Sequence, residues 1–260
     1  MVKQGSFDDA VARPAPRSRQ QIQALLKLRE LILSGAFPPG ERVSELDVVG
    51  RLGISRTPIR AALTMLQHEG FLRTLPGGGF IVRDFSIADI HDAIDIRGVL
   101  EGAAARRAAE RKPSPAELAP MQAVLEETDE VLHAAHPSQQ ALEHYVRLNE
   151  RFHRLLLDLA ASPMLRRSLA HVQSLPFASP NAFVEIQARV NARDEVLLIA
   201  QAQHRSIVEA IALGEGARAE SLAREHARLA RRNLDLAQGR LELMRFVPGA
   251  ALLREAREEP

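Results

Sequence analysis

The 260 residues include no cysteine, no tryptophan and a single tyrosine, and aromatic side chains make up only 4% of the chain. Without thiols there is neither a disulfide framework nor a thiolate metal site, so any metal must be held by His, Asp, Glu, Asn or water. With so few rings, the 46% of hydrophobic residues must build a core from Leu, Ile, Val and Ala, a composition that favours packed helices. There is also no secretory leader, no lipidation motif and no apolar run of about eighteen residues, so the expectation is a cytoplasmic protein with no membrane partner.

The net charge of +1 hides an asymmetry. Residues 1–85 carry twelve Lys/Arg against eight Asp/Glu, and the remainder carries twenty-two against twenty-five. A positive bias confined to the front of the chain is compatible with phosphate contacts there, although many domains that bind no nucleic acid carry as much.

Punctuation along the chain suggests two domains. Residues 1–18, with Pro14 and Pro16, lack periodicity and are expected to form a flexible arm whose Arg13 and Arg17, followed by Arg19, either touch DNA or are simply solvated. Ile22, Leu25, Leu26, Ile32 and Leu33 recur at helical spacing, and Pro38, Pro39 and Gly40 then force a turn. Ser44 with Asp47 opens a short second helix ending near Gly53; Ser55 caps a third, with Pro58 in its first turn, which runs to Gly70. Residues 71–75 and 79–83 alternate as two short strands around a Pro-Gly turn.

Beyond Phe85 the pattern is helical. Helices are expected at 87–111, 116–134, 139–160, 163–174, 183–213 and 217–240. The expected fold is therefore mainly α. A winged helix-turn-helix at 19–85 precedes an all-α bundle of six to seven helices at 86–240, for effector and metal binding and dimerisation, and residues 241–260 form a tail.

Two constellations carry chemistry. The first is GISRTPIR, Gly53 to Arg60, which sets a tight turn before a helix whose first turns expose Arg56, Thr57 and Arg60. Arg56 and Arg60 are four apart and share a face, where guanidinium groups reach guanine edges or phosphates, while Ser55 and Thr57 suit phosphate oxygens at the helix N-terminus. Taken alone, two arginines on a short helix are as readily a solvated face.

The second constellation is Asn149 and His153 at i and i+4 with His204 and His226. Gly214 to Gly216 forms the turn between two helices, and each of these two histidines lies eleven residues from Glu215, so an antiparallel hairpin sets them at matching height. Asn149 and His153 share a face of another helix and can complete a metal site with water-filled positions. Arg97 falls on the inward stripe of Ile90, Ile94, Glu101 and Ala104 and needs a partner, either Glu101 at i+4 or a ligand. The segment SLPFASPNAF, Ser174 to Phe183, fits equally a lid over a pocket and a surface packed on a dimer partner.

The run from Pro38 to Val82, PPGERVSELDVVGRLGISRTPIRAALTMLQHEGFLRTLPGGGFIV, resembles the winged-helix domain of the GntR family of transcription regulators over its whole length. The resemblance implies operator contacts from Arg56, Thr57 and Arg60, with Gly78 at a wing tip that enters the minor groove. Leu46 stands where some members carry a basic residue, and the wing lacks the Arg or Lys that others place before the glycines.

From Ile87 to Asp235, through DIRGVLEGAAARRAA, LNERFHRLLLDLA and EHARLARRNL, the chain resembles the FadR-type branch of that family, whose FCD ligand-binding domain holds a divalent cation on an Asp or Asn and three His. This implies Asn149, His153, His204 and His226 as ligands, with Asn149 where many members have Asp, and Arg97 as the group that holds an effector carboxylate. Zinc suits such a site, with nickel, manganese or iron as alternatives. Implied partners are a palindromic operator, a small organic acid and a second copy in a homodimer, the whole acting as a repressor. A metal-responsive regulator and a metal-dependent hydrolase are the alternatives, the hydrolase lacking a placed general base.

Overall fold

In the computed structural model the described residues are 18–133, 138–189, 193–244, 246–247 and 249–254. The expected arm thus lies outside them except for Ser18, which caps the first helix. Eleven α-helices and a three-stranded sheet are formed among the described residues.

The N-terminal unit is a winged helix-turn-helix. Helix α1 (Arg19–Leu33) begins at a capping box, Ser18 with Gln21, and buries Ala24, Leu25, Leu28 and Ile32. Of the apolar residues that recur at helical spacing, Ile22 and Leu26 are 45% and 55% exposed, because the packed face is the one that carries Ala24, Leu25, Leu28 and Ile32. Helix α2 (Glu45–Leu52) starts at the Ser44 cap and ends at Gly53, whose φ of +63° is the left-handed conformation that lets the chain turn straight into α3 (Arg56–His68). Pro58, Ile59, Ala62, Leu63 and Leu66 bury the inner side of α3.

The wing pairs β2 (Leu72–Thr74) with β3 (Phe80–Val82), and β1 (Arg42–Val43) joins the other edge of β3, giving the order β1-β3-β2. Two residues of β1 are too few to show a period in sequence. Their pairing nevertheless places Arg42 opposite Ile81.

The C-terminal helical unit contains α4 (Ile87–Glu110), α5 (Pro115–Leu132), α6 (Gln139–Ala160), α7 (Pro163–Val172), α8 (Val184–Arg189), α9 (Arg193–Ala212) and α10 (Gly216–Gln238). The single helix expected at 183–213 is thus two helices, and the residues between them, 190–192, lie outside those described. Long α4 runs against α10 at unusually close range. A Cβ on Gly98 would stand 2.9 Å from the Ala227 Cβ, and one on Gly102 would stand 2.8 Å from Arg224 Cγ. Glycine at these points is what lets Arg97 of α4 reach the Ala227 carbonyl, next to His226 on α10.

The described residues between 241 and 254 are folded onto the body, unlike the tail expected at 241–260. Leu243 of α11 (Leu241–Met244), with Val247 and Leu252 after it, is buried in the same core as α1 and α3, because these apolar side chains cover the domain junction. Phe85 N–H donates to Leu252 O at 2.9 Å and Arg254 N–H donates to Phe85 O at 2.9 Å. The core runs on from Phe37 and Phe71 of the winged helix, through Phe85 and Phe177, to Ile90 and Ile94 of α4. A change of sequence pattern at residue 85 is therefore not a gap in packing.

Candidate functional site

Three imidazoles meet inside the helical unit. The α9–α10 hairpin turns at Gly214 and brings His204 Nε2 to 3.0 Å from His226 Nε2, and a nitrogen of His153 from α6 lies within 4.8 Å of both. Phe152 stacks on the His204 ring at 3.9 Å between centroids, which fixes that ring's plane.

Burial and the neighbouring His226 and His153 push His204 well below the usual imidazole range. His226 reaches the cavity with one edge, yet burial, with His153 and Arg97, outweighs the pull of Glu101 and lowers it to about 3. Both rings are therefore neutral near pH 7 and have a lone pair to give. Two ligand nitrogens on one tetrahedral zinc stand about 3.3 Å apart, given bond lengths of about 2.0–2.1 Å, so the observed pair needs to open by only a few tenths of an ångström.

His153 is held from behind. Its Nδ1 lies 3.0 Å from Glu101 Oε1, with both side chains buried, so Nε2, which has no partner, is the nitrogen left for coordination. Burial would raise the Glu101 pKa, but the His153 ring and the Arg97 guanidinium outweigh it and hold the carboxyl at about 2. Arg97, one turn before Glu101 on α4, makes no close ion pair with it; Nη2 donates to Ala227 O at a long 3.4 Å, and Nε has no partner.

Arg97, Asn149 and His226 line a common cavity of about 30 Å³, together with Tyr145, Asn233, Pro180, Phe183 and Val184. A water needs about 10–15 Å³ by this measure, so the space suits an ion and a water but not an organic acid unless the lining moves. Outside it, beyond Pro180, His153 also borders an open hollow of about 470 Å³ with Glu150, Arg154 and Asn181.

Asn149 has a defined orientation. Its Nδ2 donates to Pro180 O at 3.3 Å and to Asn181 Oδ1 at 2.7 Å, while Asn181 Nδ2 donates to Val146 O at 3.1 Å. Since Asn181 must accept through oxygen, Asn149 must donate through nitrogen, which turns the Asn149 oxygen away from the segment. The segment 174–183 is pinned at this end to α6. At its other end Ser174 Oγ lies 2.7 Å from His171 O, to which it donates, and 3.2 Å from Glu69 O, just past the end of α3.

On the winged helix, Ser55, Arg56, Thr57 and Arg60 lie exposed at the start of α3. Ser55 makes no side-chain cap bond, which leaves its hydroxyl free. Arg60 is not free: Nε and Nη2 donate to the Glu45 carboxylate of α2 at 2.6 and 3.2 Å. Gly78, at φ +85°, sits in the turn of the wing, and Arg42 Nη2 donates to its carbonyl at 3.2 Å. The basic side chain that the wing lacks in sequence is thus supplied by β1.

Sequence reasoning missed three residues of these surfaces. Arg42 was hidden because β1 is short, and Glu101 entered only as a partner for Arg97. Asn233 lies seven residues after His226 on α10, two turns along the same face, and that spacing was a usable signal.

Comparison with known proteins covers both units. A family profile described as bacterial regulatory proteins, gntR family, matches residues 20–82, and one for the FCD domain matches residues 92–229. The uncharacterised HTH-type transcriptional regulator YdhC of Bacillus subtilis is 30% identical over 168 residues, covering 65% of this chain and 71% of that one. A regulator from the ttuE-ttuC' intergenic region of Agrobacterium vitis is 37% identical over 135 residues, covering 52% and 77%. Among solved structures, Lar of Listeria monocytogenes aligns with a TM-score of 0.60 at 19% identity, over 85% of this chain and 99% of that one. McbR/YncC of Escherichia coli aligns at 0.56 and 19%, over 86% and 100%.

Proposed function

The chain belongs to the GntR family of DNA-binding transcription regulators, in the group whose second domain is an FCD domain, and we propose that it is a cytoplasmic, homodimeric repressor released by a small carboxylate bound at a divalent metal. What supports the sensor reading above all is the His153, His204 and His226 cluster lying beside the buried Arg97.

The donor set fits a divalent ion: neutral buried imidazoles, an orphaned His153 Nε2 and an amide oxygen at Asn149. Zinc is the first choice, with nickel, manganese or iron as alternatives. When bound, the ion supplies Lewis acidity that draws a ligand carboxylate into the cavity. Arg97 holds that carboxylate by charge-assisted hydrogen bonds, Glu101 orients His153, and Phe152 keeps His204 in place.

The release step follows from room. A ligand larger than the 30 Å³ cavity has to displace the Pro180 stretch, and Ser174 of the same segment lies against Glu69, just past the end of α3. Filling the sensor therefore disturbs the helix that carries Arg56, Thr57 and Arg60. The free energy for switching is the difference in ligand affinity between the two arrangements. Dimerisation is supported by Ile96 and Val99 of α4, 51% and 48% exposed and one turn apart. A two-fold dimer reads a palindrome, with Ser55, Arg56, Thr57, Arg60 and Gly78 at each half-site.

The hydrolase alternative falls, because the matched relatives are regulators. No helix among the described residues is long and apolar enough to cross a membrane. The test is binding of the full chain to the region upstream of its own gene, followed by fluorescence anisotropy. Affinity should exceed that for random DNA, fall steeply with salt and fall on addition of short organic acids to the zinc-loaded protein. Equal affinity for both DNAs would overturn the reading, and a chelator that alone reproduces the full change would make the metal itself the signal.

A further inference from the structure

Residues past α10 lie beyond both matched family spans, and we propose that the described residues of 239–254 act as a clasp that fixes the angle of the winged helix on the helical unit. DNA affinity then depends on a segment that carries none of the DNA-facing residues. The angle is set at the short link between β3 and α4, residues 83–86, because rotation of one unit against the other has to occur there. Units joined by such a link move against each other unless a large apolar contact holds them. The clasp supplies that contact.

It grips three parts of the molecule. On the winged helix, Val247 and Leu252 are buried in the core that holds Ile32 and Phe37, and a Cβ on Gly35, just past α1, would stand 3.2 Å from the Ala251 Cβ. On the link, Phe85 donates to Leu252 O and accepts from the Arg254 N–H, and Arg254 Nε lies 2.6 Å from Asp84 Oδ2. Phe85 is itself held by the helical unit, its ring meeting Phe177 edge-on at 5.0 Å. On the helical unit, a Cβ on Gly249 would stand 2.8 Å from Pro176 Cγ, with Leu33 Cδ2 of α1 at 3.7 Å, so the chain threads between the two units at one residue. A φ of +76° and the lack of space both call for glycine there. Beside the clasp, an open hollow of about 630 Å³ between Leu33, Asn181 and Phe246 leaves the angle room to change, so grip rather than crowding holds it. Because Pro176 belongs to the 174–183 segment, movement of that segment reaches the winged helix through Gly249 and Leu33.

A winged helix free to swing must be ordered at each half-site before a dimer can bind, so loosening the clasp lowers operator affinity with every DNA-facing side chain intact; this step rests on the dimeric-regulator reading above. The test compares the full chain with two full-length variants, Leu252→Asp and Arg254→Pro, by scanning calorimetry, small-angle X-ray scattering, and anisotropy on the upstream region and on random DNA. An aspartate at the buried Leu252 drives the end of the clasp out of the core. Proline suits position 254 because Leu253 is already extended, at φ −74° and ψ 136°, so the change removes the N–H to Phe85 O and the ion pair to Asp84 and little else. The full chain should unfold in one transition, and Leu252→Asp in two, with a larger radius of gyration. Affinity for the upstream region should fall about tenfold in Leu252→Asp and about fivefold in Arg254→Pro, the size of one lost hydrogen bond, with random DNA bound as before. If Leu252→Asp fails to fold, Arg254→Pro decides: a wild-type radius with unchanged DNA affinity, or an equal loss on both DNAs, overturns the clasp. Two transitions in the full chain overturn it as well. A full chain that does not prefer its upstream region overturns the regulator reading instead, and calorimetry with scattering still decides the clasp.

Discussion

Glu101 Oε1 lies 3.0 Å from His153 Nδ1, both side chains being almost wholly enclosed. A carboxylate behind a ligating imidazole fixes its tautomer, holds the ring against rotation and raises the basicity of the other nitrogen. It also returns a negative charge to a set in which Asn149 is neutral. Glu101→Gln, which keeps the shape but not the charge, should weaken metal binding about 10–100-fold in competition with a chelating dye. An unchanged affinity would mean that the contact serves folding alone.

The close crossing of α4 and α10 should be the least forgiving part of the sensor. Gly98→Val adds atoms where a single Cβ would already meet the Ala227 Cβ at 2.9 Å. We expect a loss of about 1–3 kcal/mol, the usual cost of overpacking, read by urea denaturation. Metal affinity should fall as well, since Ala227 adjoins His226.

Stability of the metal-free protein should decline in acid, for a reason that can be given a sign. His226 has a folded pKa of about 3 against an ordinary 6.5, so between those values the unfolded chain binds more protons and stability is lost as pH falls. Glu101, at about 2 against 4.5, adds a second loss in the same direction below pH 4.5. Urea midpoints from pH 8 to pH 4 should drop below about 6.5, and His226→Gln should flatten the upper part of that fall. A curve of the same shape in the variant would assign the loss elsewhere.

Much of the fold was legible because its signals are local. Ser44, Ser86 and Ser114 each cap a helix where serine is followed three residues later by an acid, and Gly53 sits in the left-handed conformation a turn of this kind requires. The histidine pair was legible because a hairpin of two long helices converts equal sequence distance from Glu215 into equal height. What stayed hidden depends on distant chain meeting distant chain. No local pattern announces that Leu252 and Leu253 return to Phe85, that Arg42 lies over the wing, or that Glu101 belongs to His153 more than to Arg97.

At the DNA-facing surface, Arg42 should behave as a backbone contact. Arg42→Ala is expected to weaken binding to specific and random DNA alike and to reduce the salt slope by about one. Arg56→Ala should cost about 1–3 kcal/mol on the operator and relax its sequence preference. Glu45→Ala frees Arg60 from its bidentate partner and removes an acid beside the phosphates, so it should tighten non-specific binding. Anisotropy titrations at several salt concentrations check all three.

Native mass spectrometry of the protein as purified tests most directly the claim that a metal-centred sensor sits in a dimeric regulator. The expected result is a dimer carrying one divalent ion per chain, with the ion lost in His204→Ala while the dimer persists. A metal-free monomer that takes up no ion when zinc is added would contradict it.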